Sequence, residues 1–193
     1  MMDTSYSNHP IKMLPDEDRL VRQARSGDID AFAQLYDSSV KQVYRYVSFR
    51  VENDRVAEAI TLRTFIKAWE QIDHYRAFGP SFSTWLYSIA GNEIIAYYKN
   101  HKKTATQDSS FVFSVEGRYL GEEVLDMFDM QAMRDGLKFL PEEEQQILIL
   151  RFIVGLPIKN IARIMSRRDS QVRVLQIRAL DRLSSYMKEK ELI

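Results

Sequence analysis

A segment near the carboxyl end of the chain gathers basic residues on two short predicted helices. Residues 158–180, IKNIARIMSRRDSQVRVLQIRAL, carry five arginines and one lysine but a single acid, Asp169. The whole chain has a formal net charge of zero. Lysine and arginine attract phosphate, and arginine donates paired hydrogen bonds to the guanine edge in the major groove. The chemistry that this segment predicts is DNA binding.

The spacing of the apolar residues predicts how these cations are presented. A helix of about nine residues, a turn of about four and a second helix form a helix-turn-helix. On a wheel of about 100° per residue, one face of the second helix is apolar and is expected to pack inward. The residues of that face are Val172, Leu175, Ala179 and Leu183.

The turn and the opposite face of the second helix then supply the predicted DNA contacts. Arginines at the turn lie where phosphates pass, whereas serine, glutamine and arginine on the outer face read base edges, and Val174 or Ile177 can contact a thymine methyl. The predicted contact residues are Arg163, Arg167, Arg168, Ser170, Gln171, Arg173, Val174, Ile177 and Arg178. The alternative is a solvated amphipathic helix that merely ends a bundle.

Other chemistries have little support in the sequence. The chain has no cysteine, and its three histidines lie far apart, so we expect no metal site and no cofactor. Glu142–Glu144 follow Pro141, which is typical of a helix start because carboxylates favour the positive end of the helix dipole. We find no phosphate loop or nucleophile–base set, so no catalytic residue is predicted. No apolar run approaches the roughly 20 residues of a membrane span, and we expect a cytoplasmic protein.

The elements that position these residues are predicted to be helices almost throughout. Residues 1–103 carry 14 basic and 13 acidic side chains, residues 104–130 carry 1 and 6, and residues 131–193 carry 12 and 8. Helical periodicity fades in the acidic middle, where Phe111–Phe113 is the one candidate for a short strand. We therefore predict an all-α protein of two small bundles, residues 14–103 and 131–193, joined by a flexible acidic linker at 104–130.

The motifs, taken in order, resemble a known family. LPEEEQQILILRFIVGLPIKNIARIM at 140–165 and SQVRVLQIRALDRL at 170–183 resemble the −35 binding domain of sigma-70 family transcription initiation factors. AFAQLYDSSVKQVYRYV at 31–47, RTFIKAWEQIDHYR at 63–76 and FSTWLYSIAGNEIIAYYKNHKK at 82–103 resemble the domain that binds core polymerase and the −10 element. The two-domain plan is similar to that of the extracytoplasmic-function, or group IV, sigma factors.

This resemblance implies a non-catalytic subunit that binds core RNA polymerase and directs it to promoter DNA. It implies that the first bundle contacts the clamp helices of the largest subunit and that the second contacts the flap of the second-largest subunit. The linker is expected to follow the RNA exit path, and about 27 extended residues can reach roughly 90 Å. An anti-sigma factor is a further expected partner. We expect the two bundles to act as separate modules on separate promoter segments.

The −10 contact requires attraction for phosphate and surfaces that hold unstacked bases. Base–aromatic stacking stabilises a single strand by about 1–3 kcal/mol per base, which can offset the cost of opening the duplex. The residues predicted to contribute are Tyr75, Phe78, Phe82, Lys99, Asn100, His101, Lys102 and Lys103. Most aromatics at helical spacing belong to a core, and we expect Trp69 and Trp85 to do so.

One helix departs from the family pattern. The family commonly places an acid, a glutamine and a second acid at positions that here hold Ala59, Leu62 and Arg63. The predicted polymerase-binding residues are Ala59, Leu62, Arg63 and Ile66. Ala96, where the family commonly has an acid, is a second departure and affects the expected −10 specificity.

These departures leave three hypotheses open. Either the clamp contact persists with more apolar character, or the chain is a sigma-like DNA-binding regulator whose polymerase contact is weakened or altered. The third is a helical adaptor whose basic helix is incidental.

Overall fold

The computed structural model describes residues 16–75, 80–103 and 127–190, without the side chains of 101–103 and 127–132. Eight α-helices run through these residues, and no described residue is part of a strand. The helices are α1 (Glu17–Arg25), α2 (Ile29–Ser48), α3 (Asp54–Glu70), α4 (Phe82–Lys103), α5 (Met127–Lys138), α6 (Glu142–Leu148), α7 (Ile158–Ile164) and α8 (Asp169–Glu189). The all-α prediction is confirmed. Most of the predicted linker, together with Phe78 and Phe111–Phe113, lies outside the described residues.

Side-chain caps set the starts of the helices in the first bundle. Asp28 Oδ1 accepts the Ala31 amide at 3.1 Å, so Asp28 rather than Asp30 caps α2. Asn53 Oδ1 accepts the Val56 amide at 2.9 Å at the start of α3. Ser81 Oγ accepts the Thr84 amide at 3.3 Å and caps α4. Each cap satisfies an amide that has no partner within its own helix.

The first bundle, α1 to α4, encloses an apolar core. Buried side chains from α2 meet those of α3 and α4, with Leu35, Tyr46 and Leu86 almost completely enclosed. A 3₁₀ turn at Ile72–His74 follows α3. The aromatic pairs Phe32–Trp69 and Tyr36–Phe65 pack edge to face between α2 and α3.

The second bundle, α5 to α8, contains one irregular helix. Regular α geometry in α6 ends at Leu148, and a π-helical turn covers Ile149–Ile153. Its widened hydrogen bond runs from the Val154 amide to the Ile149 carbonyl at 2.9 Å. This turn keeps Ile149 and Leu150 buried and leaves Phe152 57% exposed.

The two bundles pack against each other. Arg50, at the end of α2, is almost fully buried and donates to Glu142 Oε1 of α6 at 2.9 Å. It also donates to the Tyr46 hydroxyl at 3.0 Å, and the Gln146 amide donates to the same hydroxyl at 3.2 Å. The bundles therefore meet through a polar cluster built around one buried guanidinium.

A further contact extends this interface. The Arg134 guanidinium of α5 lies 5.5 Å from the Phe49 ring centroid, within cation–π distance. Within the first bundle, the Tyr98 hydroxyl of α4 donates to the Arg50 carbonyl at 2.9 Å and so helps to position Arg50. The two bundles, which the sequence predicts to act as separate modules, are in contact in this structure. No helix in the described part of the chain is both long and apolar enough to cross a bilayer.

Candidate nucleic-acid interface

Helices α7 and α8 form the predicted helix-turn-helix. The chain leaves α7 through Ser166, which adopts a left-handed backbone with φ 52°. The Arg167 amide closes this turn by donating to the Ala162 carbonyl at 2.8 Å. This bond satisfies one of the last carbonyls of α7 and helps to set the angle at which α8 departs.

The inner face of α8 packs as the helical wheel predicted. Val172 and Ala179 are completely buried. Leu175 and Leu183 are half-buried against the same core. Their spacing of three or four residues keeps all of them on one side of the helix. This packing determines which face of α8 remains for a partner.

The outer face of α8 is open and basic. Arg173 and Arg178 are exposed, and Val174 and Ile177 are 50% and 61% exposed. Within the described residues, no carboxylate lies within ion-pair distance of Arg173 or Arg178. Cationic and apolar side chains on an exposed second helix suit guanine edges and thymine methyls, respectively.

A carboxylate lies beside this face that the sequence indicated only as part of a helix start. Glu143 of α6 forms an ion pair with Arg167 at the turn. Both residues line a groove of about 360 Å³ that runs along α8 past Ser170 and Arg178. Sequence spacing gave no signal for the pair, because its members are 24 residues apart on different helices.

Gln171 has a structural role at the start of α8. Its side-chain oxygen accepts the Arg168 amide at 3.0 Å, which satisfies an amide at the helix start. The Gln171 side-chain nitrogen remains available to donate to a base. Arg163, Arg168 and Ser170 are exposed around the turn, as predicted.

The aromatic residues predicted near the −10 contact form a compact cluster. Tyr75, Phe82 and Trp85 pack with ring centroids 5.3–5.9 Å apart. Tyr75 and Phe82 are 3% and 1% exposed, so their rings support the start of α4 and present no open face. Tyr75 donates to the Pro80 carbonyl at 2.9 Å, and burial raises the pKa of its phenol to about 12.

Basic residues lie at the far end of the same helix. Lys99 and Asn100 are exposed near the carboxyl end of α4. The helix continues through His101, Lys102 and Lys103, whose side chains lie outside the described residues. Phe78 also lies outside them. The helix α4 thus connects the aromatic cluster at its first turn to a polar end.

The outer face of α3 is partly apolar. Ile66 is 48% exposed and Leu62 is half-buried, with Ala59 and Arg63 exposed beside them. The opposite face, including Ile60 and Phe65, is buried in the bundle. An exposed apolar strip beside a cation suits a macromolecular partner. No group of three or more potential metal ligands comes together in the part of the chain that the structure describes.

The chain combines a basic helix-turn-helix with a second bundle that exposes an apolar helix face. These features define a DNA-binding protein with a second contact surface. Two family models match the chain: Sigma-70 region 2 over residues 35–104 and Sigma-70 region 4 over residues 136–185. The chain belongs to the sigma-70 family of transcription initiation factors, with relatives of the extracytoplasmic-function type.

Named relatives show the same assignment. The chain is 32% identical over 168 residues to the ECF RNA polymerase sigma factor BldN of Streptomyces coelicolor, covering 86% of this chain and 63% of BldN. It is 29% identical over 166 residues to the ECF RNA polymerase sigma factor SigW of Bacillus subtilis, covering 85% of this chain and 78% of SigW. The chain therefore spans less than two thirds of BldN but most of SigW.

Solved structures share the fold. The chain superposes on CnrH, solved in complex with the cytosolic domain of CnrY, with a TM-score of 0.66 and 21% identity over 90% of this chain and 97% of CnrH. It superposes on the sigma factor RpoE of Bartonella quintana, solved with the anti-sigma factor NepR, with a TM-score of 0.65 and 21% identity over 83% of this chain and 98% of RpoE.

Proposed function

We propose that the chain is the promoter-recognition subunit of a bacterial RNA polymerase and is not itself an enzyme. The observation that carries this proposal is the outer face of α8, where Arg173 and Arg178 are exposed and have no carboxylate partner in the described structure. Such a face binds DNA through phosphates and base edges. The sigma-70 family membership supplies the promoter as the DNA that it reads.

The two bundles divide this work. We assign −35 binding to residues 131–193, with the flap of the second-largest subunit as protein partner. We assign core polymerase and −10 binding to residues 14–103, with 104–130 as the linker. The exposed strip of Leu62 and Ile66 supports a contact of α3 with the clamp helices of the largest subunit. The polar end of α4 at Lys99 and Asn100 supports a contact with promoter DNA.

The buried position of Tyr75 and Phe82 changes the role that we propose for them. Rings that are enclosed by their neighbours cannot stack on a base without leaving the core, and buried aromatic rings contribute strongly to core stability. In our proposal these two rings hold the start of α4 in place. The contacts with unstacked bases then come from other residues around the start and the polar end of α4.

A second function is favoured by Arg63. This exposed cation lies on the α3 face where the family commonly has an acid, and like charges across an interface can cost several kcal/mol. A chain with this reversal can retain DNA binding while its polymerase contact is weakened. The alternative function is therefore a sigma-like DNA-binding regulator.

Run-off transcription with purified components separates these functions. The sigma assignment predicts transcripts that require both the chain and core polymerase, from promoters recovered by in vitro selection with the reconstituted holoenzyme. Absence of core binding at micromolar protein would reject it in favour of the regulator. An Arg63→Glu variant that binds core more tightly than wild type would show that the reversed charge weakens this contact.

An anti-sigma factor is a further proposed partner. In the two solved structures named above, CnrH is bound to the cytosolic domain of CnrY, and the sigma factor RpoE is bound to the anti-sigma factor NepR. A protein that covers the α3 and α8 surfaces would prevent both contacts at once. Because polymerase and promoter DNA are cytoplasmic in bacteria, we propose that this chain acts in the cytoplasm.

A further inference from the structure

The first helix of the chain contacts the start of α4 through one side chain. Glu17 is the first residue of α1, and its Oε1 atom accepts the Phe82 amide at 2.8 Å across 65 residues of sequence. Phe82 is the first residue of α4, so its amide has no partner within the helix. Helix α1 lies before residue 35, where the match to the family model begins. Neither the family model nor any motif predicted from the sequence assigns this helix a role of its own.

The start of α4 is held by two complementary caps. Ser81 Oγ accepts the Thr84 amide, and Glu17 accepts the Phe82 amide. The Ser81 cap is local and orients only its own turn. The Glu17 contact joins two helices, so it sets where the first turn of α4 lies relative to α1.

The neighbouring contacts depend on that placement. Phe82 is buried against Tyr75 and Trp85, with the Phe82 and Tyr75 ring centroids 5.9 Å apart. The Tyr75 hydroxyl in turn donates to the Pro80 carbonyl. Glu17 therefore fixes Phe82, which packs against Tyr75. Tyr75 follows the 3₁₀ turn, and its partner Pro80 lies shortly before α4.

The Glu17 carboxyl group is only partly exposed. Burial is the largest influence and raises the pKa of this carboxyl, while the Phe82 amide lowers it by a smaller amount. A folded-state pKa above the unfolded value stabilises the fold below the unfolded pKa, and this contribution is lost as pH rises through the folded pKa. Burial therefore disfavours the ionised form of this carboxyl, and the contact that it provides to the fold is the bond to the Phe82 amide.

We propose that Glu17 is a positioning residue for −10 recognition, because its bond to the Phe82 amide fixes the first turn of α4 against α1. This inference rests on the proposed function of the first bundle. What the bond requires is an oxygen acceptor at the carboxyl position, and the charge is not needed. Glutamine supplies that acceptor and alanine does not.

The test compares Glu17→Ala, Glu17→Gln and Asp18→Ala in reconstituted holoenzyme. Asp18 is the matched control because it is an exposed acid in the same turn of α1. The probe is fork-junction DNA with a single-stranded −10 segment, taken from the promoter selected with wild-type holoenzyme. Affinity for core polymerase, affinity for a duplex that carries only the −35 segment, and thermal unfolding are measured for each variant.

We expect Glu17→Ala to weaken fork binding between about twofold and tenfold, the range for loss of one hydrogen bond. Core and −35 affinities should not change. Glu17→Gln and Asp18→Ala should bind the fork as wild type does, and Glu17→Gln should be at least as stable as wild type at neutral pH.

Three results would overturn the inference. They are an unchanged fork affinity in Glu17→Ala, an equal loss of core and −35 binding in that variant, and a loss in Glu17→Gln as large as in Glu17→Ala. Failure of the wild-type holoenzyme to bind the fork is a different result, since it would reject the proposed −10 function itself.

Discussion

At the scale of single residues, the arginines of the helix-turn-helix divide into free and paired cations. Arg173 and Arg178 are exposed without a carboxylate partner among the described residues, whereas Arg167 is paired with Glu143. An arginine that already has a partner must exchange it before it binds phosphate. The two kinds of arginine should therefore respond differently to substitution.

Replacing Arg173 or Arg178 by alanine should weaken binding to the −35 segment. We expect a loss of ~1–3 kcal/mol for an arginine that contacts a base, together with relaxed specificity at that base pair. Fluorescence anisotropy with the selected duplex and with its single-base variants measures both effects. Lys188→Ala removes an exposed cation from the last turn of the same helix and is the matched control. Equal effects from all three substitutions would favour an incidental basic helix.

Replacing Glu143 by glutamine should strengthen DNA binding. Without the ion pair, Arg167 is free to bind phosphate, so the slope of log K against log salt should steepen by about 0.9 for one added phosphate contact. Titrations at several salt concentrations give this slope. Asp181→Asn removes an exposed acid from α8 and should leave the slope unchanged. A steeper slope in both variants would mean that overall charge, and not the pair, sets the affinity.

At the scale of helices, α3 has two faces with different roles. Its buried face, with Ile60 and Phe65, belongs to the bundle core, while Leu62 and Ile66 lie towards its outer face. A helix that is apolar on much of its circumference needs a defined start, because hydrophobicity alone does not fix its ends. Asn53 provides that start through its bond to the Val56 amide.

Replacing Asn53 by alanine should destabilise the first bundle. Loss of this N-cap is expected to lower the free energy of unfolding by about 1 kcal/mol, because the Val56 amide loses its acceptor. Urea denaturation monitored by circular dichroism measures the change. Asn53→Asp and Asn53→Ser retain an acceptor and should stay close to wild type. An equal loss in all three variants would contradict the capping role.

At the scale of the whole molecule, the two bundles meet around Arg50. The Arg50 side chain is 3% exposed, and Glu142 from the second bundle is its carboxylate partner in the described structure. In the proposed function the two bundles bind promoter elements one or two duplex turns apart, at about 34 Å per turn, and such binding requires the bundles to separate. The Arg50–Glu142 pair is therefore expected to favour the packed arrangement over the separated one.

Replacing Glu142 by glutamine should shift the chain towards separated bundles. The Glu142 side chain is 64% exposed, so solvent screening keeps the cost near ~1 kcal/mol, below the ~3–5 kcal/mol of breaking a fully buried pair. Small-angle X-ray scattering should show a larger radius of gyration. Glu143→Gln breaks a pair that lies within the second bundle and is the matched control. An unchanged radius in Glu142→Gln would show that other contacts hold the bundles together.

Much of the fold was predictable because local patterns specify helices. Three-and-four spacing placed Val172 and Ala179 inside, and Pro141 followed by Glu142–Glu144 marked the start of α6. The π-helical turn at Ile149–Ile153 was missed, because an apolar run does not distinguish π from α geometry. The helix α5 begins at Met127, within the predicted linker, because acidic composition marks a boundary only approximately.

The helical class, the helix-turn-helix and the outward face of α8 could be predicted from the sequence, since each depends on residues close together in the chain. The folded structure was needed to show that Glu17 caps α4, that Glu143 pairs with Arg167 and that Arg50 is buried against Glu142. These contacts join residues 24 to 92 positions apart. Local periodicity contains no information about such pairs, because they form only when packed helices bring distant side chains together.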